Sequence, residues 1–320
     1  AKVSLEESEE DYYLEGQGDE QISSDKLHYN HKVLQVAIMH PDKRQVLPLM
    51  PEQIYNTDGK TKQDCELNAA KRLIPKLRKA HPHLKIIFSG DGLFANQPLI
   101  EETLKAGMHY IYVVKQSNHK YLYEWLNVCP SLNSHEILDK KKGIKYVYQW
   151  MNKVPLHGGE KAIEVNYFNF KIINLETNLI TYHNEWVTDI EITKDNVATL
   201  AKGGRCRWKI ENECFNTLKN QGYCIDHSYG HGEKNLSFNF YLLTLIAFTM
   251  HQILELRDKL YQTCRKSLGS KKNLWNHLRS YISMLIFDSW ESLLYATWQP
   301  EVYGPHKIPP PKLTPTILAA

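Results

Sequence analysis

Two acidic residues carry the strongest chemical signal in this 320-residue chain. Asp91 follows the apolar run Leu84-Lys85-Ile86-Ile87-Phe88 and is flanked by Gly90 and Gly92. Loops at the carboxyl ends of sheet strands are where α/β proteins present ligand groups, and glycine lets another group approach closely. A turn aspartate bonding its own backbone has the same local signature. Glu211 is the second. On a helix over Trp208–Lys219 at about 100° per residue, Arg207, Trp208, Cys214, Phe215 and Leu218 fall within about 60° of Glu211. Lys209, Glu213 and Asn216 fall on the opposite, solvent-facing side. A carboxylate inside an apolar stripe must be paired, ligated or protonated. Arg207, one turn earlier, offers pairing, and a divalent cation shared with Asp91 offers ligation. Lys219, on the flank of the stripe, is placed to reach a phosphate beside the carboxylates.

Other motifs carry less. Trp208 and Phe215 read as core rather than as base-stacking platforms. His227 and His231 have a metal-like spacing, but the glycines around them argue against the helix such a site needs. The six cysteines form no CxxC pair, so neither a zinc ribbon nor a disulfide framework is expected. No phosphate-binding glycine loop, GxSxG or HExxH is present.

The elements that must position these residues follow from periodicity. His31–His40 and Gln45–Met50 read as a hairpin around Pro41-Asp42-Lys43-Arg44. A polar loop at Asn56-Thr57-Asp58-Gly59 precedes a helix over about 62–80, in which Pro75 should introduce a kink. A β–α–β unit follows. Its helix has Asn96 or Gln97 as cap, Pro98 in the first turn and Gly107 at its end, and its second strand is His109–Lys115. After a short aromatic helix (Tyr121, Tyr123, Trp125, Leu126), strand-sized apolar runs separated by turns fill the rest of 120–193 and read as an all-β insertion. Helical periodicity resumes near Thr193 with breaks at Gly203-Gly204 and Gly230–Gly232. The expected architecture is an α/β mixed sheet flanked by helices. Its expected parts are an acidic flexible lead-in at 1–24, core at 25–119 and 194–260, the insertion, and a helical extension with a proline-rich tail at 261–320.

Composition bounds the partners. Hydrophobic residues at 42% and charged residues at 23% describe a globular chain and exclude a disordered or collagen-like one. No uninterrupted apolar run reaches the ~18–20 residues of a membrane span, the best being Phe238–Ile246, and no basic-then-apolar leader is readable. A reduced, cytoplasmic protein with no membrane partner is expected. The net charge of +3 hides an asymmetry: residues 1–24 hold eight acids and one base, leaving 38 basic and 28 acidic residues in the rest. A basic body suits a polyanionic partner.

Several segments, in order, resemble the DDE transposases of bacterial insertion sequences. They are Asp91-Gly92-Leu93 with Asn96-Gln97-Pro98, Tyr112-Val113-Val114-Lys115, Trp186-Val187-Thr188-Asp189, and above all Arg205–Lys219 with its Arg-x3-Glu. The resemblance spans about 27–295. It implies a ribonuclease H-like core in which three carboxylates hold two divalent ions, Mg2+ or Mn2+, for in-line phosphodiester displacement. A β-rich insertion between the second and third acids is also common in such enzymes. By resemblance Asp91 is the second acid and Glu211 the third, both metal ligands. Arg207, Lys219 and Lys115 would contact DNA or steady the glutamate. Double-stranded DNA is the implied partner, with a homodimer bringing two ends together.

The sequence also departs from that family. Lys219 stands eight residues after Glu211 where many members have seven. No apolar strand bearing a first acid precedes Tyr29, and Asp19 and Asp25 are the nearest candidates. The N-terminal DNA-binding region usual in such proteins is not found either. A copy truncated after its first acid is the expectation this supports. The alternatives are a catalytically incomplete DNA-binding remnant and a related metal-dependent nuclease.

Overall fold

A computed structural model describes residues 2–6, 30–55, 64–129, 132–227, 229–230 and 232–303. The loop at Asn56–Gly59, His231, the candidates Asp19 and Asp25 and the proline-rich tail lie outside them. The chain divides into two units, 1–212 and 213–320.

The first unit is built on a six-stranded mixed sheet. Its strands are β6 (Ile87–Gly90), β7 (His109–Val113), β8 (Asn133–Asp139), β9 (Ile144–Pro155), β10 (Glu164–Asn174) and β11 (Ile180–Thr188). Their spatial order is β6-β7-β11-β10-β9-β8, with β6 and β7 parallel and every other pair antiparallel. Side chains alternate across a strand with period two, and here both faces are covered. From β7, Tyr110 and Tyr112 enter one core, with Leu73, Leu99 and Leu122 of α1 (Glu66–Ala80), α2 (Gln97–Lys105) and α3 (Lys120–Val128). Ile111 and Val113 enter the other, with Leu200 and Ala201 of α4 (Val197–Arg205). Trp186 and Val187 of β11 split the same way. The result is a helix–sheet–helix sandwich.

Two smaller sheets precede it. The expected hairpin is present as β3 (Ala37–Met39) and β4 (Val46–Pro48), paired antiparallel. The long strand read over 31–40 is instead broken. β2 (Asn30–Leu34) ends at Gln35, whose buried amide donates to the carbonyls of Val36 and Leu49. β2 pairs with β1 (Lys2–Glu6) and β5 (Glu52–Ile54), so part of the expected acidic lead-in is strand. Buried Glu52 takes both Arg72 (2.8 Å) and Lys76 (2.6 Å), fastening α1 to β5.

The segment over 120–193 opens with the expected aromatic helix, here α3, and differs from expectation in one way. Its strands are not a separate body, because β11 pairs with β7 through Trp186↔Val113 and Thr188↔Ile111. The Trp186–Asp189 stretch makes that junction. Thr188 Oγ1 donates to the Tyr110 carbonyl at 2.6 Å, while Asp189 accepts the Tyr110 N–H at 3.0 Å and meets His109 Nδ1 at 2.6 Å. Gly203-Gly204, expected as a helix break, lies inside α4. A Cβ on Gly204 would stand 2.7 Å from the Trp186 ring, so this glycine serves close helix–sheet approach rather than termination.

The second unit holds α5 (Asn216–Asn220), α6 (Leu236–Arg257), α7 (Lys259–Ser267), α8 (Lys271–Met284), α9 (Trp290–Trp298) and α10 (Pro300–Tyr303). Tyr261, Cys264, Leu274, Leu278, Leu293 and Leu294 form its core. By length and composition α6 is apolar enough to cross a bilayer, although Asn239, Thr244 and His251 interrupt its apolar run. A core helix of a globular protein meets the same criterion, and Tyr241, Leu245 and Phe248 of α6 are buried. His251 on this helix is buried, meets the Tyr223 hydroxyl at 2.6 Å through Nδ1 and has its pKa lowered to about 4, first by burial and then by Lys271.

Two outcomes follow from this packing. Gly204→Ala is expected to destabilise the first unit by about 1–3 kcal/mol, read as a lower denaturation midpoint, because the Trp186 ring must be displaced. For His251 the folded pKa lies below the unfolded one, so the protonated form favours unfolding. Stability of the second unit should therefore be full above about pH 6.5 and decline toward pH 4, a slope in thermal melting that His251→Leu should flatten.

Candidate functional site

Asp91 is the residue immediately after β6. Its Oδ1 accepts the Leu93 N–H at 3.0 Å and its carbonyl accepts the Phe94 N–H at 3.1 Å. The self-bonded turn that the sequence allowed is thus realised, and it aims the loop into α2. Asn96 caps that helix by accepting the Leu99 N–H, with Pro98 in the first turn. The two flanking glycines are not equivalent. A Cβ on Gly90 would meet Phe94 at 2.8 Å and Tyr112 at 3.1 Å, so Gly90 is required by packing. A Cβ on Gly92 would meet only ordinary contacts, among them Lys115 Cγ at 4.0 Å. Exposed Lys115, in the loop after β7, therefore has its stem beside the Asp91 loop.

Glu211 stands differently from expectation. Its side chain is 49% exposed, rather than enclosed in an apolar stripe. The chain from Ile210 to Phe215 is a π-helical turn, wider than an α-helix, so the spacing of about 100° per residue does not apply there. Ile210, Cys214, Phe215, Thr217 and Leu218 are buried, Trp208 is exposed, and Lys209 is buried. Trp208, read as core, and Lys209, read as solvent-facing, have exchanged roles. Of the two partners the sequence offered, the pairing is present: Arg207 donates to Glu211 Oε1 at 2.5 Å. At this exposure the pair contributes orientation more than stability.

One apolar cavity of about 410 Å³ in the first unit joins these elements. Asp91, Phe94, Cys206, Arg207 and Ile210 line it together with residues of β3 and β6. Asp91 and the arginine that holds Glu211 thus line the same cavity. Lys115 adjoins that loop, whereas Lys219 is exposed on α5 in the second unit.

Lys209 is the positioning residue that sequence reasoning missed. Its ammonium donates to three hairpin carbonyls, those of His40 (2.7 Å), Pro41 (2.8 Å) and Lys43 (2.6 Å). A buried ammonium has three protons to place, and the β3–β4 turn supplies three acceptors. No local signal marks it, since the partners lie about 170 residues earlier.

The motif order and this geometry meet in one comparison. The family model described as "Transposase DDE domain" matches residues 52–249, more than half of the chain. The chain belongs to that family. No individual curated protein matches it. The matched span of this DDE transposase domain includes Asp91, Lys115, Arg207, Glu211 and Lys219, and its mixed sheet with helices on both faces is the ribonuclease H-like fold that the resemblance implied.

The metal that such a fold implies can be tested against these donors. Asp91 and Glu211 offer hard carboxylate oxygens, and the contacts to Leu93 and Arg207 leave the second oxygen of each outside those bonds. The donors fit in kind. In number they fall short, because no group of three or more His, Cys, Asp or Glu able to hold an ion occurs among the described residues.

Replacing Lys209 by methionine keeps the stem but leaves three carbonyls without their ammonium. An unfolding free energy lower by about 1–3 kcal/mol is expected in urea titration.

Proposed function

We propose that this DDE transposase domain acts on DNA, cleaving and joining strands at the ends of an insertion sequence in the cytoplasm, with Asp91 and Glu211 as its acids. The observation that supports this reading is that Asp91 and Arg207 line one cavity and that Arg207 pairs with Glu211. Asp91 and Glu211 would hold a divalent ion, magnesium or manganese, which when bound supplies Lewis acidity to a phosphodiester. The chain's own residues orient the rest. The Leu93 N–H fixes one Asp91 oxygen, and Arg207 fixes one Glu211 oxygen. Lys115 beside the Asp91 loop, and Lys219 and Arg207 by their charge, are assigned to DNA phosphates. A homodimer that holds two DNA ends is part of this reading.

A second reading is favoured by the donor count. With two carboxylates and no third among the described residues, the chain is a DNA-binding remnant that retains the fold without strand transfer. A related nuclease would cleave without joining.

Nicking of supercoiled plasmid with Mg2+ or Mn2+ separates these readings. Asp91→Asn and Glu211→Gln should each lower nicking by at least ~100-fold, a loss of about 3 kcal/mol of transition-state stabilisation, with unchanged circular dichroism. Equal, negligible nicking by the parent and both variants, with plasmid binding retained, would establish the remnant.

A further inference from the structure

In the second unit, α6 buries Tyr241, Leu245 and Phe248 along one side. Its opposite side carries Leu236, Leu243, Ile246, Met250 and Ile253, with Phe240 and Leu256 beside them, all between 38% and 59% exposed. From Leu243 onward these positions advance by three and four residues in turn, the spacing of a helix seam that packs on another helix. No Asp, Glu, Lys or Arg stands between Leu236 and Leu254. Polar side chains on or beside the stripe bond nearby carbonyls: Asn239 donates to Lys234 (3.2 Å), Thr244 to Phe240 (2.9 Å) and Thr249 to Leu245 (2.8 Å). Covering this side therefore strips water from few polar groups.

Size and charge narrow what covers it. At these exposures the stripe presents about 600–700 Å² per copy, above the largest patch of an ordinary monomer and near the ~800 Å² per partner of a stable interface. Partly buried Leu242, Ala247 and Leu254 flank it and add to that area. A stretch without lysine or arginine offers nothing to nucleic acid and lacks the cations by which surface helices hold anionic lipid. An uncharged seam with regular spacing is complementary to itself, and a two-fold pair covers the same patch on both subunits. We propose that α6 is a homodimer interface, packing against α6 of a second copy through Leu243, Ile246, Met250 and Ile253. This assigns a surface to the homodimer of the reading above and rests on that reading for the meeting of two copies.

Sedimentation velocity of the full chain without DNA, at about 1 to 100 μM, should show a dimer whose share rises with concentration. Leu243→Lys and Met250→Lys, both at exposed positions, should each weaken dimerisation at least about tenfold with unchanged circular dichroism. Met250→Leu keeps the apolar contact and should retain the dimer. The parent chain gives a readout that needs no variant. Oxidation of Met250 by hydrogen peroxide, mapped by mass spectrometry, should slow on concentration, whereas Met284, 67% exposed in the same unit, should not change. A dimer that both lysines dissolve upholds the proposal even where plasmid nicking is absent. A monomer at about 100 μM, or Met250 oxidised equally at both concentrations, would overturn it. A dimer indifferent to both lysines overturns it too, while leaving the homodimer itself standing on another surface. Flotation with phosphatidylglycerol–phosphatidylcholine vesicles that Met250→Lys abolishes would replace the second copy by a membrane surface.

Discussion

The ammonium of Lys209 is the contact on which the geometry of the acidic site depends. A buried cation on a helix is costly unless its protons are all received, and the carbonyls of the β3–β4 turn receive them at 2.6–2.8 Å. The consequence is positional. Lys209 lies two residues after Arg207, which lines the cavity that Asp91 also lines and pairs with Glu211. The π-helical turn follows Lys209 directly, with Ile210 buried and Glu211 exposed at its start.

Much of the fold is legible in the sequence where local patterning and final burial agree. The hairpin, the β–α–β unit, the Asn96 cap and the position of Asp91 after its strand all follow from alternation, turn chemistry and capping. What is not legible is pairing at long range. The alternation in β9 to β11 identifies strands but not their neighbours, and whether they form an insertion or extend the sheet is decided by Trp186, Thr188 and Asp189 meeting β7. Gly204 shows the same limit. A glycine pair reads as a break because its backbone cost is local, whereas the benefit, a tryptophan ring against the helix, lies at a residue distant in sequence.

The candidate site divides similarly. Arg207 and Glu211 are one turn apart, and their pairing is foreseeable from spacing alone. The face on which they lie is not, because a uniform helical angle fails at a π-helical turn. The widening begins at Ile210 and bears on Glu211, whereas Lys209 stands before it and is buried where the hairpin carbonyls receive its ammonium. The turn bond of Asp91 to Leu93 belongs to the legible part, since an aspartate between glycines has few other local acceptor roles.

The distribution of charge and apolar surface separates two tasks that a DNA-processing domain must perform. The cavity beside Asp91 is walled mostly by Val36, Leu49, Phe88, Leu200 and similar side chains, so it offers a phosphate backbone little. Of the cations assigned to DNA, Arg207 lines the cavity, while Lys115 and Lys219 are exposed and are not among its lining residues. Phosphate contacts position a duplex and depend on such surface cations, whereas strand chemistry depends on how many carboxylates converge at the strand end. The first property can persist in a chain whose second is incomplete, because nothing in the basic surface requires the metal donors. Binding to DNA is therefore weak evidence for catalysis here, and the convergence of oxygens around Asp91 is the quantity on which chemistry turns.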